Sequence, residues 1–423
     1  MTGFHEKNGA LHVDDVPLTR IAEEYGTPAY VYSASVIRAQ HKRLKNALEK
    51  AIPADRQPML CYACKANTNI AILRLLKTLG TGLEIVSEGE LAKGLKAGFS
   101  GSEIISTSFG KTPDEIRACL DADIAQFNIE SFTELEQLNE TAKEMGKTAR
   151  VLFRLNPNIG DSGGHAKIST GGKRDKFGMS AATIMEAYKR ADEFSHLEPI
   201  GLSMHIGSQV AQVEKFKPGF EKMAEMVGDL RKAGYSVTRL DIGGGFPIIY
   251  NDEKLLDLDE YARWVNDIVV PLETEIQMEP GRYFVGNSGV LLTKVLYVKE
   301  TQDQDFLVLD AAMNDLIRPT LYEAYHGIRP VENLNAPKQL YDVVGPICES
   351  GDTFTKGREL PQMKMNDLAV IESAGAYGSA MASNYNTRPL LPEILVDGDK
   401  IAVIRKRQNI EDIINQESIP DWV

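Results

Sequence analysis

Residues able to do chemistry recur along this chain at the ends of short apolar runs. They are Lys65, Glu84, Glu130, Arg154 with Asn156, His205, the run Gly243-Gly244-Gly245, and Glu279 with Gly281 and Arg282. Singly, each has an ordinary reading: a lone His is usually a satisfied structural residue, a glycine run a turn, and a lysine a solvated surface group. Together they suggest more. Backbone N–H groups approach an anion closely only where no Cβ intervenes, so the glycine run indicates a phosphate. A lysine desolvated near another cation loses its proton and becomes a nucleophile toward carbonyl carbon.

The elements that position these residues follow from the period of the apolar residues. Short apolar runs alternate with amphipathic stretches from about residue 35 to 285, which is the pattern of repeated βα units. Eight strands are expected: Met59 to Tyr62, Gly82 to Val86, Glu103 to Ser106, Ala125 to Asn128, Arg150 to Arg154, Pro199 to Met204, Val237 to Asp241 and Ile276 to Glu279. Between the first two, Ile72, Leu75, Leu76 and Leu79 share one helical face, and Gly80 is placed to stop the helix. Ser131 and Glu134 read as a capping box. Eight such units can close into a (β/α)8 barrel of TIM type, although an open doubly wound sheet has the same local pattern. In a barrel the active site lies at the C-terminal ends of the strands, which is where the chemical residues stand.

After residue 285 the pattern turns β-rich, in Val290 to Val298, Phe306 to Leu309, Leu368 to Glu372 and Ile401 to Ile404. The expected division is a barrel over residues 35–285 and a C-terminal β domain over 286–423, with residues 1–34, including the strand Ala29 to Tyr32, joining the β domain. The polar stretch Asn158 to Lys176 reads as a loop and a candidate lid.

At 423 residues the chain is too long for one core, because domains of roughly 100 to 200 residues are usual. A net charge of −13 argues against a nucleic-acid or anionic-membrane surface, since both require a basic face. No apolar run is long enough to cross a bilayer and the start has no signal-peptide character, so the expected location is the cytoplasm. Of four cysteines, Cys61 and Cys64 form a C-x-x-C without further zinc ligands, Cys119 reads as core, and no metal site is expected.

Phosphate and lysine at one barrel mouth point to pyridoxal 5'-phosphate, PLP; a Schiff-base aldolase acting on a sugar phosphate uses the same parts. Glu279 favours PLP, because a carboxylate facing the ring nitrogen keeps the ring protonated and able to accept an electron pair.

Four stretches of the barrel, Tyr62-Ala63-Cys64-Lys65-Ala66-Asn67, His205-Ile206-Gly207-Ser208-Gln209, Gly243-Gly244-Gly245-Phe246-Pro247 and Glu279-Pro280-Gly281-Arg282, resemble the fold-type III PLP-dependent decarboxylases. Further on, Arg318-Pro319-Thr320-Leu321-Tyr322, Gly345-Pro346-Ile347-Cys348-Glu349-Ser350-Gly351-Asp352 and Gly375-Ala376-Tyr377-Gly378 resemble the branch of that family acting on meso-2,6-diaminopimelate. The resemblance runs from about residue 25 to 405. It implies an alanine racemase-like barrel with PLP on Lys65, His205 on the ring face and Glu279 at the ring nitrogen. Ser208, Gly244, Gly245, Gly281, Arg282 and Tyr377 are implied at the cofactor and its phosphate. Arg282, Arg318, Tyr322, Glu349 and Tyr377 are implied to grip substrate, with Cys348 as the catalytic acid. Cys348 and Glu349 are implied to come from the opposite subunit of a homodimer.

The implied reaction is decarboxylation to L-lysine and CO2, the last step of lysine biosynthesis. The alternative is a related decarboxylase of ornithine, arginine or a carboxylated polyamine; there the residue after the cysteine is typically Asp, where this chain has Glu349. An alanine racemase typically presents a cation to the ring nitrogen, against Glu279, and a non-catalytic PLP carrier lacks the residues after the barrel. The chain departs from many relatives at Glu84, where Asp is common, at Glu88 and Gly89, where two glycines are, and at Ser108, where Gly is. Asp175 likewise stands where a small residue is usual.

Overall fold

The computed structural model describes residues 3–158, 176–333 and 335–423, so the expected lid falls almost wholly outside the described residues. The chain divides into two compact units. One holds residues 40–248 and 254–283; the other holds 1–39, 249–253 and 284–423.

The first unit contains a closed barrel of eight parallel strands, Met59–Ala63, Gly82–Ile85, Ile104–Ser106, Gln126–Ile129, Ala149–Leu155, Leu197–Met204, Arg239–Asp241 and Glu275–Met278. Pairing of Gln277 with Met59 and of Met278 with Leu60 joins the eighth strand to the first. That closure decides between barrel and open sheet, a choice that depends on which strands pair at the ends and not on their local pattern. All eight strands lie within two residues of their expected ends.

The helix after the first strand spans Ile70–Thr78, capped by the Asn69 side chain, which accepts from the Ala71 N–H at 3.0 Å. Ile72, Leu73 and Leu76 are buried there, while Leu75 and Leu79 are half-exposed. Gly80 follows at φ +85°, a conformation that costs a residue with a Cβ and so favours glycine at a helix end. The expected capping box is only half present. Ser131 accepts from the Glu134 N–H, but the Glu134 carboxylate takes the Glu130 N–H at 2.8 Å and pairs with Lys111 at 2.6 Å. A buried cation outcompeted the local reciprocal bond.

The barrel interior is unusual in being polar. Glu84, Gln126, Asn128, Asp241 and Gln277 are all buried, where branched apolar side chains usually fill such layers. Asn128 of the fourth strand bonds Asp241 of the seventh at 3.2 Å, and these strands are not neighbours, so the bond runs through the barrel interior. Buried polar groups are costly unless bonded, and Glu84, Gln126, Asn128 and Asp241 each make hydrogen bonds here, whereas Gln277 Oε1 has no partner among the described residues.

In the second unit, strand Ala29–Ser33 lies between Gly289–Glu300, antiparallel, and Glu393–Asp397, parallel. Alternate residues of these strands bury Ala29, Val31, Val290, Leu292, Ile394 and Val396 in one core. Residues 4–17 form a separate three-stranded antiparallel sheet. The unit boundaries fall at 39/40 and 283/284, and residues 249–253 group with the second unit, a crossing that no change of composition marks. Among the described residues, no helix is long and apolar enough to cross a membrane.

Candidate active site

Lys65 lies in a single 3₁₀ turn, Cys64–Ala66, immediately after the first barrel strand. Its Nζ stands 3.2 and 3.1 Å from the two carboxylate oxygens of Glu84 on the second strand. Glu84 is fully buried, and burial, then Glu279, raises its carboxyl while Lys65 and Arg154 oppose the shift. A buried acid held against a partly exposed amine can exchange a proton with it.

Glu279 follows the eighth strand, and its Oε1 accepts from Thr107 Oγ1 at 3.0 Å. Burial, and next the neighbouring Asp241, push the Glu279 carboxyl up to about 8. Two buried carboxyl groups in contact cannot both ionise cheaply, so the pair retains a proton near neutral pH. His205, after the sixth strand, accepts the Gly244 N–H at Nδ1 at 3.2 Å, which leaves the ring proton on Nε2. Burial, then Arg154 and Lys65, hold its pKa well below the usual imidazole value, so the ring is neutral.

Arg154 does not stand open at the rim. It pairs with Glu130 at 2.6 Å with both side chains nearly inaccessible, and its guanidinium lies 5.0 Å from the Phe177 ring centre. The second oxygen of Glu130 takes the Gly178 N–H at 2.9 Å, so one carboxylate holds both the arginine and the chain at Gly178.

The glycine run differs from its expected role. Gly243 donates its N–H to Asp241 Oδ1 at 2.9 Å and Gly244 to His205, so two of the three amides are committed inside the protein. Their lack of side chains serves packing: a Cβ on Gly243 would lie 2.2 Å from the Met204 carbonyl, and one on Gly244 2.2 Å from the Glu279 carbonyl. Gly245 keeps an N–H without an acceptor among the described residues. Arg282 Nη2 donates to Ser208 Oγ at 3.1 Å, which brings two of the expected phosphate groups together. Gly281 packs against Ala63 beside them.

The remaining expected residues lie in the other unit. Arg318 is buried, with its guanidinium 4.6 Å from the Tyr250 ring centre and Nη1 2.8 Å from His326 Nε2. His326 Nδ1 faces the Glu372 carbonyl at 2.7 Å and must donate there, so Nε2 accepts from the arginine. Tyr322 ends the same short helix, Arg318–Tyr322. Tyr377 adopts a left-handed backbone at φ +55°. Cys348 and Glu349 are exposed, and Glu349 accepts from Tyr385 Oη at 2.7 Å. Of Arg318 and Glu349, both implied to grip substrate, the cation is therefore buried and the anion is not. Cys61, Cys64 and Cys119 are buried, and burial raises all three thiols, so none is a ready nucleophile.

Sequence reasoning missed Thr107, Asn128 and Asp241. Asp241 ends the seventh strand, Arg239–Asp241, two residues before Gly243, so its place at a strand end beside the glycine run was the available signal. Nothing local marks Thr107.

The barrel groups fit PLP chemically. They provide an amine beside a proton acceptor, a neutral imidazole, a carboxyl that holds its proton near neutrality, and a hydroxyl, guanidinium and amide suited to a phosphate.

Comparison with known proteins agrees. Residues 34–286 match the family described as pyridoxal-dependent decarboxylase, pyridoxal binding domain. The diaminopimelate decarboxylase of Zymomonas mobilis is 41% identical over 425 aligned residues, covering 100% of both chains. That of Pseudomonas aeruginosa is 42% identical over 99% of each. The crystal structure of diaminopimelate decarboxylase from Helicobacter pylori complexed with L-lysine superposes with a TM-score of 0.89 at 39% identity, covering 94% of this chain and 98% of that one. A family match over most of the barrel, and relatives alike along the full length, establish that the chain belongs to the pyridoxal-dependent decarboxylases, within the diaminopimelate decarboxylase family.

Proposed function

We propose that this chain decarboxylates meso-2,6-diaminopimelate to L-lysine and CO2, the last step of lysine biosynthesis, as a cytoplasmic homodimer. The observation that carries this reading is end-to-end identity of 41% with a diaminopimelate decarboxylase, joined to a barrel mouth with a lysine, a protonated carboxyl and a neutral histidine. Bound PLP supplies an electron sink for the pair released when the Cα–carboxylate bond breaks.

Lys65 is the residue that binds the cofactor covalently, and Glu84, 3.1 Å away, takes and returns the proton of its Nζ. Glu279 would face the ring nitrogen of bound PLP and supply it with the proton that the cofactor-free carboxyl holds. His205, neutral and fixed through Nδ1 by Gly244, would cover the ring face of bound PLP and exclude water there. Ser208, Gly245, Gly281 and Arg282 hold the phosphate, with Gly244 behind them and Tyr377 assigned to the same group by family resemblance.

Family resemblance also gives Arg318, Tyr322, Tyr377, Arg282 and Glu349 to the substrate. A buried arginine whose neighbours are a neutral histidine and a tyrosine suits a distal carboxylate, because an analogue lacking that group leaves the cation uncompensated. Cys348 delivers the proton that replaces the departing carboxylate at Cα. It is exposed in the single chain, as a residue serving a partner subunit's site would be.

The test offers purified protein and added PLP a mixture of meso-diaminopimelate, L-ornithine, L-arginine and alanine, and reads the products by chiral mass spectrometry. L-lysine as the dominant product is expected. A diamine, D-alanine or agmatine in its place would overturn the substrate while leaving the family intact.

A further inference from the structure

We propose that Thr107, Asn128 and Asp241 form a positioning relay that fixes the Glu279 carboxyl in the barrel, with its proton on Oε2 in the cofactor-free protein. This deepens the reading above and rests on Glu279 as the partner of the ring nitrogen.

The relay draws on four strands. Thr107 follows the third, Asn128 lies in the fourth, Asp241 ends the seventh and Glu279 follows the eighth. Asn128 Nδ2 donates to Asp241 Oδ2 at 3.2 Å and to Thr107 Oγ1 at 3.1 Å, and Asn128 Oδ1 accepts from Gln126 Nε2 at 3.1 Å. The amide orientations follow from Arg239, whose Nη1 can only donate and faces Gln126 Oε1 at 3.2 Å, so Gln126 Nε2 donates to Asn128 Oδ1 and Asn128 Nδ2 is left to face Asp241 and Thr107. Thr107 Oγ1, already accepting from Asn128, sends its own hydrogen to Glu279 Oε1 at 3.0 Å.

These directions locate the proton. Oε1 receives a hydrogen bond and is the unprotonated oxygen. Asp241 also receives on both of its oxygens, from Gly243 N–H at 2.9 Å and from Asn128. It is therefore the ionised member of the carboxyl pair, and Glu279 keeps the proton on Oε2. The charged and titratable groups around the pair are Glu84 and Cys61, which face it from the second and first strands, Tyr261, which burial and then the Asp241 charge keep protonated, Lys65 and Arg154, which oppose proton retention, and Arg239. His205 is neutral and contributes no charge. Burial and the Asp241 charge lead the balance, and both favour the protonated Glu279.

The relay matters because a carboxyl free to rotate would present either oxygen. Thr107 removes that freedom with one hydroxyl, and Asn128 holds both Thr107 and Asp241 with one amide. Hydrogen bonds of this kind cost more to leave half-made than they contribute when complete, so removal of one member misaligns the rest.

The test uses the full-length protein, with PLP affinity read by fluorescence titration after cofactor removal and the buried carboxylic acid followed by infrared difference spectroscopy against pH. Thr107→Val is expected to weaken PLP binding about tenfold, and Thr107→Ser, which keeps the hydroxyl, to restore it. Asp241→Asn removes the like charge and is expected to move the carboxylic-acid titration to lower pH. Unchanged affinity in Thr107→Val, or an unmoved titration in a folded Asp241→Asn, overturns the relay. Should Asp241→Asn fail to fold, the Val and Ser pair at Thr107 decides alone. Glu279→Gln separates the two levels. If it leaves PLP affinity unchanged, the assignment of Glu279 itself fails. If it weakens affinity while the Thr107 and Asp241 variants do not, the relay alone is wrong.

Discussion

Gly244→Ala is a one-carbon change whose consequence is set by where that carbon lands. The new Cβ would sit 2.2 Å from the Glu279 carbonyl oxygen and 3.7 Å from His205 Cε1. Carbon and oxygen make ordinary contacts near about 3.3 Å, so the glycine loop and the end of the eighth strand must separate by about 1 Å. The atoms in the way are backbone, which cannot swing aside as a side chain would. A displacement of about 1 Å at the residue proposed to face the cofactor is enough to cost on the order of 100-fold in rate. We therefore expect kcat/KM to fall about 100-fold, with weaker PLP retention, and the Gly244 N–H bond to His205 to be strained at the same time.

The control is Gly80→Ala, at a helix end with φ +85° and no atom within 4 Å of the added carbon. That change carries only the backbone penalty of about 1–2 kcal/mol and should lower the melting temperature while leaving kcat/KM unaltered. CO2 release and thermal melting of both variants provide the comparison. A Gly244→Ala enzyme with rate and PLP affinity within twofold of the parent would refute the claim that this contact sets the site's geometry.

Three further outcomes are expected. Glu130→Gln and Arg154→Met should each destabilise the protein by about 3–5 kcal/mol, because each strands a buried charge, and the double variant should cost much less than their sum; additive losses in denaturation would mean that the pair carries no coupling. Protein stripped of PLP should lose stability as pH rises from 4.5 toward 8, since the folded state holds the Glu279 proton to about 8 against an ordinary 4.5 and so binds more protons than the unfolded chain in that window. Melting curves of Glu279→Gln, neutral throughout, should show a shallower decline, and an equal slope would contradict the raised carboxyl. On the proposed homodimer with shared sites, mixing Lys65→Ala with Cys348→Ala subunits should restore about a quarter of parental activity, since half the dimers would be mixed and each would hold one intact site. No recovery after verified subunit exchange would place Cys348 in its own chain's site or outside the chemistry.

The barrel strands were readable from sequence because strand formation there follows from short apolar runs set between amphipathic helices, a local property of the chain. Lys65, His205 and Glu279 were readable for a related reason: each lies within two residues of a strand's C-terminal end, where a barrel places its chemistry. What tertiary structure decided is of another kind. Barrel closure depends on Gln277 meeting Met59, residues more than two hundred positions apart. The grouping of residues 249–253 with the second unit has no local mark. The glycines after the seventh strand looked like an anion cradle, yet Gly243 and Gly244 spend their amides on Asp241 and His205, because the fold brings those acceptors closer than any ligand. Glu134 abandoned its capping bond for a buried lysine. The protonation of Glu279 arises only when Asp241, Asn128 and Thr107 converge from different strands inside the barrel. Sequence determined which groups were available at each strand end; the closed barrel determined which of them touch, and contact in a buried, low-dielectric interior is what sets their charge.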